Sequence, residues 1–331
     1  MSVTIVIIIV LALGFDFLNG IQDSSNIVAT MISSRALPPR VALIMTAAAE
    51  FTGPFIFGVA VANTIGNEIV LPHTIHNNVL LAALCSAILW NIFSWKFGFP
   101  SSSSHGLIGG FIGAVLIGAG WQAIQLKGLE KVLIALFTSP IIGFFMGYLI
   151  LRLSLIFSWN ASPKVNKFFK RSQIITSLAL GLSHGTNDAQ KTMGVITLAL
   201  VIGGYIPSFD VPTWVIFLCS LMIALGTSFG NWKLIRKLGS KFYKVRPVDA
   251  FSSQLASAIV ILSASLVGGP ISTTQVVSSS IMGVGAAERV NKVRWHVASE
   301  IGTAWLMTIP ATATLAAGIY WLLERFINPG I

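Results

Sequence analysis

Long apolar stretches follow one another along the whole chain, separated by short polar or basic connections. Each stretch is long enough for a helix that crosses the hydrocarbon core of a membrane, which takes about 20 residues. The pattern therefore predicts an all-α polytopic membrane protein with about 10 to 12 membrane helices. The predicted segments are 1–34, 41–62, 76–95, 99–121, 132–151, 173–202, 212–230, 251–268, 271–287 and 296–322.

Composition agrees with this interpretation. The chain of 331 residues is 54% hydrophobic and only 10% charged, whereas a soluble domain carries about 25% charged residues. The apolar stretch from Val3 to Gly14 lacks the basic start of a signal peptide and leads directly into a polar motif, so we expect it to be retained. We therefore expect a multi-pass protein of the cell membrane, surrounded by lipid.

The net charge of +10 is concentrated in connections between apolar segments. Basic residues crowd three of these connections, 152–171, 233–246 and 289–294, and such connections stay in the cytoplasm. This distribution argues against nucleic-acid binding. The connections 64–74 and 203–211 carry acids but neither Lys nor Arg, so we place them outside.

With the basic connections inside, both termini face outside and every segment of one half runs opposite to its counterpart. The prediction is two inverted-topology repeats of about five net crossings each, with broken helices or re-entrant hairpins. The first repeat covers 1–152, the second covers 173–331, and a basic cytoplasmic linker, 153–172, joins them.

Two kinds of polar motif interrupt the apolar pattern, and each occurs once per half. Asn19–Asn26 is echoed by His184–Lys191, and Pro100–His105 is echoed by Pro270–Gln275. Matched interruptions in two halves are the pattern of a secondary transporter, and they indicate its binding site. We expect a broken helix or re-entrant hairpin at all four, because irregular backbone at membrane depth must line a cavity or lie within protein.

The Asn-Asp motifs place Asp23 and Asp188 at equivalent positions. Ionisable side chains inside a membrane are costly and usually functional. With neighbouring amides such as Asn26 and Asn187, the two carboxylates suit a hard cation or a proton. The alternative is a structural polar cluster that holds helices together. Asp16, Glu50 and Glu300 are further acids within apolar segments.

The Pro-Ser/Thr motifs suit an anion. If each opens a half-helix, unpaired backbone N–H groups and the positive end of the helix dipole face the break. Two opposed helix N-termini form a site for a tetrahedral oxyanion. The alternative is that small hydroxyl residues permit close packing or bending. The candidate ligands of such an oxyanion are Ser102, Ser103, Ser104, His105, Ser272, Thr273, Thr274 and Gln275.

Lys191 breaks the symmetry of the repeats, because its counterpart is Asn26. Its ammonium group could contact the anion or take the place of a bound cation beside Asp188. The alternative is a lysine that extends to a helix end. His184 could shuttle protons near neutral pH, or be structural.

These motifs, occurring in order, closely resemble those of the inorganic phosphate transporter (Pit) family. The resemblance implies symport of phosphate with Na⁺ or H⁺ through an inverted-repeat fold with two hairpins. It matches Asp23 and Asp188 to the family's essential aspartates and Glu50 to a position implicated in transport in animal relatives. Gln254 stands where those relatives carry a glutamate, which puts that role in doubt here.

The residues after the second aspartate, Ala189-Gln190-Lys191, resemble the bacterial low-affinity branch, whose members move phosphate, sometimes as a metal–phosphate complex, with protons. A fixed ammonium group at Lys191 would repel Na⁺ in the same pocket, which favours H⁺ coupling. If the coupling ion is Na⁺ instead, Asp23 and Asp188 are its expected ligands.

The sequence is therefore interpreted as that of a secondary active transporter, not an enzyme, which imports inorganic phosphate with H⁺ or Na⁺ by alternating access. The phosphate ligands would be the Pro-Ser/Thr residues and Lys191; Asp23, Asn26, Glu50, Asn187 and Asp188 would serve the coupling ion. No cofactor is expected, and a homodimer is allowed. The alternatives are a sulfate permease of the same architecture, a passive anion channel and an intramembrane hydrolase.

Overall fold

Eleven α-helices make up most of the described chain. The computed structural model describes residues 1–97, 101–230 and 245–327, except the side chains of residues 297, 300 and 301. The helices are α1 (Val3–Ser33), α2 (Pro39–Phe57), α3 (Ala60–Asn63), α4 (Asn77–Phe97), α5 (Ser103–Gly118), α6 (Leu126–Phe157), α7 (Val165–Ile202), α8 (Thr213–Phe229), α9 (Pro247–Leu266), α10 (Thr273–Glu288) and α11 (Trp295–Ile327). Within these ranges the one strand-like contact is an isolated bridge between Val70 and Ile124.

The ten longer helices match the ten predicted segments one by one, which confirms the all-α polytopic prediction. The largest differences are at the start of α7, which is Val165 rather than 173, and at both ends of α6, which runs Leu126–Phe157 rather than 132–151. The connection between these two helices is therefore 158–164, and the boundaries of the repeats and linker stay predictions. The basic segment 233–244, Pro100 and the Glu300 side chain lie outside what the structure describes.

Large apolar side chains cover much of the outer surface of the helices. Phe145, Ile156 and Met307 are each more than 60% exposed, an arrangement suited to contact with lipid. Six of the described helices are long and apolar enough to cross a membrane: α1, α2, α4, α6, α9 and the 302–326 part of α11. The protein is thus a multi-pass membrane protein.

Breaks occur at the two Pro-Ser/Thr motifs, as predicted. α4 and α5 form one hairpin and α9 and α10 form another. Gly118 at the end of α5 packs against Val79 at the start of α4, and Arg246 before α9 pairs with Glu288 at the end of α10, 2.7 Å away. Both hairpins therefore return to the end from which they start, while the start of α5 and the turn between α9 and α10 lie buried beside the middle of α7. These are the predicted re-entrant hairpins.

No break occurs at the two Asn-Asp motifs, and that part of the prediction is wrong. α1 runs unbroken through Asn19–Asn26, and α7 runs unbroken through His184–Lys191. The polar side chains of these motifs bond to neighbouring helices and hairpin turns, while the backbone keeps its intrahelical bonds. An unwound backbone is therefore unnecessary for placing polar groups at this depth.

The helix packing repeats with the predicted inverted symmetry. The counterparts of α1, α2, α5 and α6 in the second half are α7, α8, α10 and α11. α1 packs on α8, and correspondingly α7 packs on α2; α5 packs on α11, and correspondingly α10 packs on α6. Glycines permit the close approach in the first two pairs: Gly20 of α1 lies directly against Gly226 of α8, and Gly185 of α7 lies against the backbone of Glu50 in α2. This packing holds the middles of α1 and α7 side by side.

Candidate functional site

The interface between α1 and α7 is polar where both helices are most deeply buried. The two helices run antiparallel, so their side chains meet in successive pairs. Thr192 Oγ1 donates to Asp16 Oδ1 at 2.5 Å, and Asn19 Nδ2 donates to Asp188 Oδ2 at 3.4 Å. The third pair joins His184 Nε2 and Asp23 Oδ2 at 3.6 Å. The predicted motifs therefore do meet across the two repeats.

Asp188 lies at the centre of this interface and is 1% exposed. Its Oδ1 pairs with the ammonium group of Lys191. Its Oδ2 accepts from Thr273 Oγ1 at 2.9 Å and lies 3.0 Å from His184 Nε2. A buried carboxylate needs such compensation, because removing an unpaired charge from water is costly.

His184 connects three buried carboxylates. Its Nδ1 lies 2.9 Å from Glu50 Oε1, while its Nε2 lies near Asp188 and Asp23. Glu50 is fully buried in α2, so the imidazole brings this third acid into contact with the aspartate pair. The predicted site residue Glu50 thus belongs to the same cluster, which we call the carboxylate cluster: Asp23, Glu50, His184 and Asp188.

Asp23 has the more open position of the two aspartates. Its Oδ1 accepts from Thr274 Oγ1 at 2.5 Å and from Asn26 Nδ2 at 3.0 Å. Its Oδ2 accepts no hydrogen bond from any residue of the described ranges. One ligand atom each from Asp23, His184 and Asp188 lie within 4.8 Å of one another, close enough to share a cation or a proton.

Lys191 occupies the place in the second repeat that Asn26 occupies in the first. Asn26 Nδ2 donates to Asp23 and, at 3.2 Å, to Thr274 Oγ1. Lys191 Nζ pairs with Asp188 and donates at 2.5 Å to Ser104 Oγ, and Ser104 is the counterpart of Thr274. A fixed positive charge in one half therefore corresponds to a neutral amide in the other.

The start of α5 and the turn between α9 and α10 meet at Lys191. Its ammonium also donates to the carbonyl of Ile271 at 2.8 Å, and Ser104 Oγ donates to the same carbonyl at 2.9 Å. Across the contact, Gln275 Nε2 lies 3.4 Å from both ring nitrogens of His105. The predicted anion-binding segments therefore lie together, although Ser104, Thr273 and Thr274 here direct their hydroxyl groups to the carboxylates and to Ile271.

Each of the two half-helices begins with a serine cap. Ser102 Oγ accepts from the backbone N–H of His105 at 3.2 Å, and Ser272 Oγ accepts from that of Gln275 at 3.4 Å. A cap satisfies one N–H group and leaves others in the first turn. No described residue accepts from the backbone N–H groups of Ser103, Ser104, Thr273 and Thr274.

Asn187 is not brought into the carboxylate cluster. Its side chain instead holds the second hairpin turn: Nδ2 donates to Ser265 Oγ at 2.9 Å and to Gly269 O at 3.2 Å, and Oδ1 accepts from the Ile271 N–H. Gln22 at the equivalent position of α1 donates to Asn91 O of α4 at 2.7 Å. Gln22 thus attaches the α4–α5 hairpin to α1, and Asn187 attaches the α9–α10 hairpin to α7.

Three members of the site were missed or undervalued in the sequence. Asn19 contacts Asp188, Thr192 contacts Asp16, and His184 lies within the carboxylate cluster rather than at its edge. The available signal was helical spacing: Asp16, Asn19 and Asp23 recur at three and four residues along α1, as His184, Asp188 and Thr192 recur at four along α7.

Comparison with known proteins agrees with this geometry. The chain matches the family model described as the phosphate transporter family over residues 19–316. It is 45% identical to a probable low-affinity inorganic phosphate transporter of Bacillus subtilis, over 96% of this chain and 97% of the relative. A protein of the same description from Rhizobium meliloti is 43% identical, over 96% of each chain.

A solved structure titled as the sodium-dependent phosphate transporter has the same fold. Its TM-score is 0.91 at 24% sequence identity, and the match covers 98% of this chain and 99% of that one. The fold, the paired motifs and the full-length relatives lead to one conclusion: the chain belongs to the phosphate transporter family.

Proposed function

We propose that the protein imports inorganic phosphate across the cell membrane, coupled to protons, by alternating access. The observation that carries the proposal is the meeting of two capped helix N-termini, one from each repeat, beside a pair of buried aspartates. The first is suited to an oxyanion and the second to a cation or proton. The names of the full-length relatives support phosphate as the substrate.

In this proposal phosphate binds between the N-termini of α5 and α10. The backbone N–H groups of residues 103, 104, 273 and 274, from which no described residue accepts, would donate to its oxygens, helped by the nearby hydroxyl groups. His105 and Gln275 border the same space, and Lys191 would supply positive charge. Phosphate near neutral pH can also donate a hydrogen bond to a carboxylate such as Asp23, which sulfate cannot do.

The carboxylate cluster would hold the coupling proton. The site contains three acids, Asp23, Glu50 and Asp188, but only one ammonium and one imidazole group. Binding of a divalent anion would therefore be strongly disfavoured unless positive charge arrived with it. Lys191 already occupies the cation-like position beside Asp188, which disfavours Na⁺ there by direct repulsion. Sodium bound by Asp23 and Asp188, a metal–phosphate substrate and a homodimer stay predictions.

The test is uptake of radiolabelled phosphate into proteoliposomes under separately imposed pH and Na⁺ gradients, with sulfate as competitor. The expected result is concentrative uptake driven by an inward proton gradient and unaffected by sulfate. Liposomes with Asp188→Asn provide the matched control and should accumulate no phosphate. Uptake driven only by Na⁺ would overturn proton coupling, and strong inhibition by sulfate would overturn the substrate assignment.

A further inference from the structure

α1 carries a second buried acid besides Asp23, and this residue, Asp16, lies outside the carboxylate cluster. Asp16 is two helical turns before Asp23 on the same face of the helix, about 10 Å along the axis. It is fully buried, at a position where an apolar residue would be expected in a membrane helix. Thr192, the residue after Lys191 on α7, donates to it at 2.5 Å, and the thiol of Cys219 on α8 lies beside it as a weaker donor.

Asp16 differs from the two central aspartates in having no positive partner among the described residues. Oδ1 accepts from Thr192, and Oδ2 accepts no hydrogen bond from a described residue. The ionisable neighbours that act on it are Asp188 and Lys191 of α7 and Cys219 of α8. Lys191 is not available to it, because the ammonium is held by Asp188, Ser104 and the Ile271 carbonyl.

A buried carboxylate without a cation is far more costly than a neutral carboxylic acid. The surroundings of Asp16 therefore accommodate the neutral acid in this conformation. Neutral Asp16 can also donate, which an ionised carboxylate cannot. It lies on the N-terminal side of the cluster, where α1 approaches the end of the molecule at which the Ser2 N–H donates to Tyr205.

We propose that Asp16 is a separate proton-binding site, which takes up one proton from the outer side for each phosphate imported and releases it inside. The step is protonation of the Asp16 carboxylate and, after the conformational change, loss of that same proton. This inference rests on the proton-coupled transport proposed above. It adds a second site, at a residue that does not contact phosphate.

The experiment compares wild type with Asp16→Asn in proteoliposomes whose membrane potential is held at zero with K⁺ and valinomycin. Two quantities are measured: phosphate–phosphate exchange without a gradient, and the steady accumulation ratio at several imposed pH differences. The logarithm of that ratio rises with the pH difference, with a slope set by the number of coupled protons. We expect the slope to fall by one in Asp16→Asn, while exchange is retained.

Two further variants separate this role from a structural one. Asp16→Glu keeps an ionisable group and should keep the wild-type slope. Asp210→Asn changes an exposed acid in the connection between α7 and α8 and should also keep it.

An unchanged slope in Asp16→Asn would overturn the proposal. Loss of exchange in the folded variant would do the same, because Asp16 would then act on phosphate binding. An unfolded Asp16→Asn protein would also contradict it, since asparagine imitates the neutral acid. Failure of the proposed function is seen separately, as absence of any pH-driven accumulation in wild type.

Discussion

Replacing Lys191 by asparagine would give the second repeat the same residue that the first repeat has at position 26. Lys191 makes three contacts, to Asp188, Ser104 and the Ile271 carbonyl. Asn26 makes only the two equivalent side-chain contacts, to Asp23 and Thr274. Lys191→Asn should therefore keep the side-chain contacts, lose the bond to Ile271, and leave Asp188 without its ammonium partner.

Removing one member of a buried ion pair costs about 3–5 kcal/mol, because the remaining charge is uncompensated. In K⁺ medium the variant should therefore unfold at a clearly lower temperature than wild type. A small cation that binds beside Asp188 in place of the ammonium should reverse part of that loss. At a concentration 100 times its dissociation constant, such a ligand recovers about 2.7 kcal/mol.

The assay is the melting temperature of detergent-purified protein in KCl and in NaCl, followed by uptake under a Na⁺ gradient. We expect Na⁺ to stabilise Lys191→Asn but not wild type, and uptake by the variant to become dependent on Na⁺. Lys191→Arg is the matched control, since it keeps a fixed cation and should stay insensitive to Na⁺. If Na⁺ changes neither melting nor uptake of Lys191→Asn, the cation-like role of Lys191 is refuted.

Three other substitutions test separate parts of the site. Asp188→Asn should yield a folded protein without concentrative uptake, measured with labelled phosphate; near-normal uptake would remove Asp188 from the coupling site. Thr274→Val deletes the hydroxyl that donates to Asp23 at 2.5 Å, and should weaken apparent phosphate affinity by about tenfold, the equivalent of one hydrogen bond to a charged group; an unchanged half-saturation concentration would contradict this. Asn187→Ala releases the second hairpin turn and should lower stability by about 1–3 kcal/mol with proton dependence retained; a loss of proton dependence with normal stability would place Asn187 in the coupling site after all.

The helical segments and the two hairpins could be predicted because their signals are local. Apolar length identifies membrane helices, and the capping serines Ser102 and Ser272 mark where α5 and α10 begin. The duplicated motifs also predicted that Asp23 and Asp188 come together, because inverted repeats place equivalent residues about one axis.

The contacts that the sequence did not reveal join residues that lie far apart in the chain. Polar residues within an apolar segment resemble a helix break, yet the side chains of α1 and α7 find donors and acceptors on other helices. Asn187 and Asn26 look equally suited to a cation site in the sequence. Only tertiary contacts show that Asn187 binds a turn more than 75 positions away while Asn26 binds its own aspartate.

The unbroken course of α1 and α7 determines which parts of the molecule can move. Both aspartates sit on long continuous helices, and each helix is packed at a glycine against a further helix, α1 on α8 and α7 on α2, so the four helices form a rigid unit that is poorly suited to bending. The hairpins are joined to that unit largely by side chains, and they approach it from opposite ends. Retreat of the α4–α5 hairpin would uncover the aspartates from one face, and retreat of the α9–α10 hairpin would uncover them from the other. The central helices could then stay still during transport, while the two hairpins act as separate gates that never need to open at the same time.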